Sequence, residues 1–387
     1  MASSTNSITS PLREQLDRLA AFEPSALPVI SLYLDMRPDE HGRDRCDAWL
    51  RKALAERTPS LQGDARASFD RDVERITAWL ASERRPSANA LAIFACAGAG
   101  DFFEALQLDA PVDQHWLFVG AVPHLYPLSR LDDQYARYAA LLLDTNSARI
   151  FVFSLGATQR QESVQGVKTR KTAMGGWSQA RYQRHTANYH LHHMKEVVGV
   201  LERVVAEEGI DRIILAADEV SRPALEAQLP QQLSSKVIDA TTLDVRTPEH
   251  EVLRHTLELL QQHDSRTDAE HVAQMRDAWQ GSGLGAVGPD AVFRALQLGQ
   301  VEELLITASA SGVKPPMAMP RDAAPAPIAT ATTAPPQEAD PERLRVADEL
   351  VTRAHQTGAR VRFIEDPALL ADFGGVGALL RFRLETR

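Results

Sequence analysis

The sequence predicts an α/β protein built from three domains, on three observations. Apolar runs of β-type residues alternate with helix-period segments along the whole chain. At 387 residues and 42.6 kDa the chain exceeds one ordinary core and suits about two to three. Two breaks in the pattern, a proline segment at Pro123 and Pro127 and the glycine run Gly281–Gly288, divide it into 1–130, 131–282 and 283–387. Apolar residues at 44% and charged residues at 24% are those of a globular protein, which excludes wholesale disorder.

In the first segment, Val29–Leu34 (VISLYL) is rich in β-branched and aromatic residues and is stopped by Asp35-Met-Arg-Pro38, so it reads as a strand. Asp44–Arg57 and Ala65–Ser82 carry apolar residues at helical spacing: Trp49, Leu50 and Leu54, then Phe69, Val73, Ile76 and Leu80. Leu91–Ala95, Phe102–Leu108 and Leu117–Ala121 read as further strands. In the second segment, Tyr138–Asp144 and Ala148–Phe153 form a hairpin pattern around Thr145-Asn-Ser147, and Thr158–Val164 reads as a third strand. A long helix is expected over about 178–208, then strands at Arg212–Ala217 and Lys236–Asp239 with a short helix Arg222–Gln228 between them. Thr247-Pro248-Glu249 opens another long helix reaching toward Trp279. In the third segment, a helix is expected at Pro289–Leu298, the strand LLIT within Val301–Thr307, a helix at Glu342–Gln356, a strand at Arg360–Glu365 and a final strand over Gly374–Leu384. Between them, 311–340 is dominated by Pro, Ala and Thr and reads as a mobile insertion.

Forty-two basic against 52 acidic residues leave a net charge of −10, which argues against coating nucleic acid by bulk charge and leaves a local basic patch open. Cys46 and Cys96 are the only cysteines, so neither a disulfide scaffold nor a four-cysteine zinc site is expected. No apolar run approaches the roughly 20 residues that cross a bilayer, and the N-terminus has no apolar signal core. A cytoplasmic location is therefore expected.

One window departs from the acidic average. Between Arg160 and Lys195 the cations Arg160, Lys168, Arg170, Lys171, Arg181, Arg184 and Lys195 face Glu162 alone, and His185, His190, His192 and His193 lie among them. A one-signed excess attracts phosphates whatever the total charge, so nucleic-acid contact is favoured over a merely solvated helix face. Inside this window Gly175-Gly176 precede Ser178, a candidate N-cap. Paired glycines admit a backbone to a narrow space and expose N–H groups there, beside the partial positive charge of a helix start. Taken alone, the pair reads equally as a plain loop before a capped helix.

The stretch Gly175-Gly-Trp-Ser-Gln-Ala-Arg-Tyr-Gln-Arg184 resembles the Gly-Gly-Gln-Ser segment of archaeal and eukaryotic class-one release factors, where two variable residues and Arg-Phe-x-Arg follow and a long helix begins. Gly288-Pro-Asp-Ala-Val-Phe-Arg-Ala-Leu296 through Val301–Leu305 is similar to the opening helix and strand of the last domain of release factors and Pelota, and Phe373–Phe382 to its closing strand. Val29–Leu34 sits where those factors carry an early strand. The resemblance is closest to the bacterial branch of the superfamily, which includes relatives of quality-control peptidyl-tRNA hydrolases and Balon-like hibernation factors.

This resemblance implies a tRNA-shaped protein of three α/β domains: an N-terminal domain, an RNase-H-like central domain and a C-terminal α/β sandwich. It implies entry into the ribosomal A site, with the basic loop in the peptidyl-transferase centre and water attacking the peptidyl-tRNA ester. Gly175, Gly176 and Gln179 would form the catalytic tip. Lys168, Arg170, Lys171, Trp177, Ser178, Arg181, Arg184 and His185 would contact RNA. The pattern departs from the family at one place: Trp177 occupies the glutamine position, and Gln179 lies two residues on. Trp177 can stack on an exposed base or pack beneath the loop. The alternative implied function is a hibernation factor that fills a vacant A site without chemistry. The last domain is the implied contact for a translational GTPase such as elongation factor Tu.

Other chemistries are less supported. Gly176-Trp-Ser178-Gln-Ala180 approximates a nucleophile elbow, but a polar, basic segment stands where that motif needs a strand. His190 and His193 share a helix face without an accompanying carboxylate or cysteine at zinc spacing, and His250 with His255 has the wrong spacing. Asp132-Asp133 and Glu207-Glu208 read as surface acids. No phosphate-loop signature occurs, and neither a metal nor a cofactor is expected.

Overall fold

A computed structural model of the chain describes residues 11–38, 46–165, 179–281, 283–317 and 340–383. It contains three sheets and divides into two compact units, one of residues 135–264 and one joining 11–134 to 265–387. The mixed α/β class expected from the pattern is what the structure has.

The first unit is organised by a five-stranded sheet. Strands β5 (Tyr138–Leu143), β6 (Ser147–Ser154) and β7 (Ala157–Gln165) follow one another antiparallel, and β8 (Ile213–Ala217) and β9 (Val237–Thr241) add in parallel on the other side of β5. The order β7-β6-β5-β8-β9 is that of the RNase-H-like sheet the family resemblance implied. Alternation along each strand explains its two covers. Leu141, Leu143, Ile150 and Leu215 point to helix α5 (Gln179–Glu207), which supplies Met194, Val197, Leu201 and Val204. Leu142, Phe151, Phe153 and Ile214 point to α8 (Glu249–Gln280), which supplies Val252 and Leu260. Near-continuous apolar strands such as IILAA are what burial on both faces requires.

The second unit holds two sheets. One is antiparallel, in the order β3-β2-β1-β4, from β1 (Val29–Asp35), β2 (Ala90–Cys96), β3 (Phe102–Leu108) and β4 (Trp116–Gly120). Helices α2 (Cys46–Arg57) and α3 (Gly63–Ser82) cover one face through Leu50, Leu54, Phe69 and Ile76. The other sheet, of β10 (Gly285–Val287), β11 (Val301–Thr307), β12 (Arg360–Ile364) and β13 (Val376–Leu380), runs β10-β13-β11-β12, with β11 and β12 parallel and joined through α10 (Pro341–Gln356). Helix α9 (Pro289–Gln297) packs beside α10 on the same core.

The short helix expected between β8 and β9 is α6 (Ser221–Glu226), and three helices escape the sequence pattern, the one-turn α7 (Gln231–Ser234) and two longer ones. Helix α1 (Pro11–Ala20) buries Leu12, Leu16 and Leu19 within an otherwise polar stretch. Helix α4 (Tyr126–Gln134) carries Pro127 in its first turn, where no intrahelical N–H is needed. Strand β10 (Gly285–Val287) lies inside the glycine run read as a break. The final strand β13 is Val376–Leu380 rather than Gly374–Leu384. Gly374 and Gly375 instead turn the chain at φ 67° and 82°, and a Cβ on Gly375 would stand 2.4 Å from the Gly312 carbonyl oxygen. The first residues assigned to the insertion belong to the fold, since Val313 is fully buried and Lys314 N–H donates to Gly374 C=O. Residues 318–339 of the insertion lie outside the described residues.

Buried polar contacts join the two sheets of this unit. Asp348 Oδ1 accepts the backbone N–H groups of Leu125 (2.6 Å) and Tyr126 (2.9 Å), and Asp348 Oδ2 lies 3.1 Å from His124 Nδ1. Tyr126 O–H donates to Thr307 C=O at 2.6 Å, and the Tyr126 ring meets Phe363 edge-on at 5.1 Å. Asp133, read from sequence as a surface acid, accepts from Phe363 N–H at 2.8 Å.

Candidate functional site

The segment of interest, 166–178, joins β7 to α5, and the sheet fixes the residues on either side of it. Gln165, the last residue of β7, pairs with Ser147 at the β5–β6 turn. That turn is closed by Asp144, whose Oδ1 accepts the N–H groups of Asn146 and Ser147, both at 2.7 Å. Helix α5 touches the same turn through His190 Nδ1, 2.9 Å from Thr145 C=O. From there α5 runs along the sheet toward Glu207 and Glu208, while residues 179–189 continue the helix for about three turns on its N-terminal side.

Gly175, Gly176, Trp177, Ser178, Lys168, Arg170 and Lys171 lie outside the described residues. Gln179 is the first residue of α5, and Arg181, Arg184 and His185 follow within its first two turns. The side chains of these four also lie outside the described residues. The nucleophile-elbow alternative at Ser178 likewise lies outside the described residues.

Arg160 is not a free cation. Its guanidinium donates to Glu162 (2.8 Å), Glu207 (2.8 Å) and Glu208 (3.1 Å). These bonds, Glu162 first, raise its pKa further above the ordinary arginine value. Glu208 also meets Arg137 at 3.1 Å. Glu207-Glu208, expected to be plain surface, therefore clasp the end of α5 to the start of β7. The cationic excess is correspondingly narrower than the sequence window, centred on 168–184.

The histidines of α5 separate into different roles. His192 is exposed, whereas His193 is only 2% exposed. Neither ring nitrogen of His193 makes a well-formed hydrogen bond. Burial lowers its pKa, opposed weakly by the nearby carboxylates of Glu196 and Asp144, so the ring is held neutral inside the core. It cannot join His190 as an RNA-facing or metal-facing pair. His255 binds Thr241 Oγ1 at 3.0 Å, and His250 is exposed beside Glu251. Among the described residues no group of three or more His, Cys, Asp or Glu is placed to hold a metal ion. Nor is any described helix long and apolar enough to cross a membrane.

Sequence reasoning missed one constellation. Ser129 Oγ lies 3.0 Å from His355 Nε2, and His355 Nδ1 lies 3.3 Å from Asp17 Oδ1. The order is that of a hydrolytic triad, yet Ser129 is 2% exposed and therefore closed to substrate. The chain ties α1, α4 and α10 together instead. Its members are 226 and 338 residues apart in sequence, so no local motif announces them.

Two family models match. Residues 123–261 fit bacterial archaeo-eukaryotic release factor family 10, and residues 269–384 fit eRF1 domain 3. No curated protein matches the chain. Among solved structures, an archaeal translation termination factor, aRF1, aligns over 96% of this chain and 97% of its own at 16% identity and a TM-score of 0.27. Archaeal Pelota, from a model of ribosome-bound Pelota and ABCE1, aligns over 97% and 95% at 13% identity and a TM-score of 0.42. Dom34 of S. cerevisiae, a translation termination-like factor of RNA quality control that interacts with Hbs1, aligns over 77% and 80% at 10% identity and a TM-score of 0.39. The family models rather than these superpositions carry the assignment. They adjoin one another across nearly all of the chain beyond residue 122, and they span the glycine pair Gly175-Gly176 and the closing strand. The chain is a bacterial member of the archaeo-eukaryotic release factor and Pelota superfamily.

Proposed function

We propose that this protein binds the ribosomal A site and hydrolyses the ester joining peptide to tRNA, in ribosome rescue or quality control. One observation carries the reading: the central family match contains a glycine pair and a local cationic excess at the point where the sheet passes the chain to α5. Lys168, Arg170, Lys171, Arg181, Arg184 and His185 supply positive charge and donors for ribosomal RNA phosphates. Trp177 offers a stacking surface and Ser178 a helix cap. Gly175 and Gly176 leave backbone N–H groups open beside the ester, and Gln179 orients water. The water oxygen bonds to the ester carbonyl carbon, the bond to the terminal ribose oxygen breaks, and the ribose takes up the proton. Free peptide and deacylated tRNA leave. No strong base is required, in keeping with a loop that lacks a carboxylate pair. The C-terminal part, which fits eRF1 domain 3, is the proposed contact for a translational GTPase, with elongation factor Tu as the candidate.

Trp177 in the glutamine position favours a second reading, in which the protein occupies a vacant A site as a hibernation factor. Peptide release from purified peptidyl-tRNA–ribosome complexes separates the two. The catalytic reading expects release that Gln179→Ala reduces at least tenfold while binding persists. Tight sedimentation with empty 70S particles and no release, in wild type and variant alike, would establish the second reading in its place.

A further inference from the structure

The β5–β6 turn is stiff in its own right. Asp144 closes it from both sides: its N–H donates to Ser147 C=O at 2.9 Å, and its Oδ1 accepts the N–H groups of Asn146 and Ser147 at 2.7 Å each. Asn146 Nδ2 adds a bond to Thr145 Oγ1 at 3.1 Å. Thr145 C=O takes no part in that closure and meets His190 Nδ1 at 2.9 Å. A carbonyl only accepts, so Nδ1 carries the proton and donates.

The position of this bond along α5 gives it mechanical reach. The apolar core holds the helix through Met194, Val197, Leu201 and Val204. His190 stands one turn before Met194, and of the side chains described in α5 it is the nearest to the start. Gln179 opens the helix about 16 Å beyond His190, at about 1.5 Å per residue. A tilt of the rod by about 5° about Met194 displaces Gln179 by about 2 Å. Misplacing an aligned group by about 1 Å can cost about a hundredfold in rate. The bond to Thr145 opposes that tilt, and it does so from the same turn that holds Gln165 through Ser147. The geometry points to His190 as a positioning residue: by donating to Thr145 C=O, it sets the tilt at which α5 presents Gln179 to the ester. This role rests on the hydrolytic reading proposed above and adds to it a residue that acts through the helix, without itself touching ester or RNA.

Peptide release from purified peptidyl-tRNA–ribosome complexes, with the complexes varied in concentration, tests the role. His190→Ala and His190→Leu both remove the donor, and leucine keeps most of the bulk. Each is expected to lower kcat about tenfold while KM stays within about twofold, because the lost alignment matters only as the ester reacts. His190→Asn places an amide N–H where Nδ1 stood and is expected to restore most of the rate. A purely structural role would lower the melting temperature and leave kcat of the folded protein unchanged. Full kcat in the His190→Leu protein overturns the inference and leaves the hydrolytic reading intact. So does a His190→Asn protein as slow as His190→Ala at the wild-type melting temperature. Wild-type protein that binds the complexes and releases no peptide overturns both.

Discussion

The two compact units both bury sheets beneath helices, but with different interiors. In 135–264 the layers are joined by apolar alternation, and the main ionic cluster, around Arg160, sits at the surface. In the other unit, two sheets from opposite ends of the chain are joined through buried hydrogen bonds, with Asp348 at their centre. Apolar layers tolerate small slips, whereas a carboxylate that satisfies two backbone N–H groups and one imidazole accepts a single alignment. The difference suits elements joined by proximity in one case and by distant pairing in the other.

The sharpest way to break that contrast is Asp348→Ala, which strands Leu125 N–H, Tyr126 N–H and His124 together. We expect a loss of about 3–5 kcal/mol in urea unfolding, confined to the unit that contains it. Gly375→Val forces a side chain into a left-handed backbone against the Gly312 carbonyl and is expected to lose about 2–3 kcal/mol in the same unit.

The apolar unit has its own weak point in His193. Its folded pKa is lowered from the 6.5 of the unfolded chain, so the unfolded state binds the extra proton as pH falls past that value. Stability of 135–264 should therefore decline below about pH 6.5, by at most about 1.4 kcal/mol per pH unit, and His193→Leu should flatten the decline. The smallest effect is expected from Arg160→Met, within about 1 kcal/mol and shrinking with added salt, because the cluster is partly solvated. A larger loss there would erase the distinction between the two interiors.

Local pattern carried most of the fold. Strands such as VISLYL and IILAA announce themselves through β-branched apolar runs, and α5 and α8 through long helical periodicity. Helix α1 was hidden because three leucines in a polar decapeptide resemble a tail, and α4 because Pro127 reads as a breaker until it is known to sit in the first turn. The candidate site was legible as composition: its cations, its glycines and its place before α5. Arg160 was miscounted because its three carboxylate partners come from two elements. The contacts of Asp348, His355 and Asp133 span more than 220 residues each, and only folding reveals such pairings.

One consequence of the β5–β6 turn reaches beyond this chain. Because Gln165 leaves beside Ser147 and His190 returns beside Thr145, both ends of the intervening stretch are held at one turn. A change of length or chemistry between those two anchors leaves every strand pairing of the sheet in place. The segment is therefore a natural cassette, open to exchange by grafting the corresponding stretch of another release factor onto this scaffold.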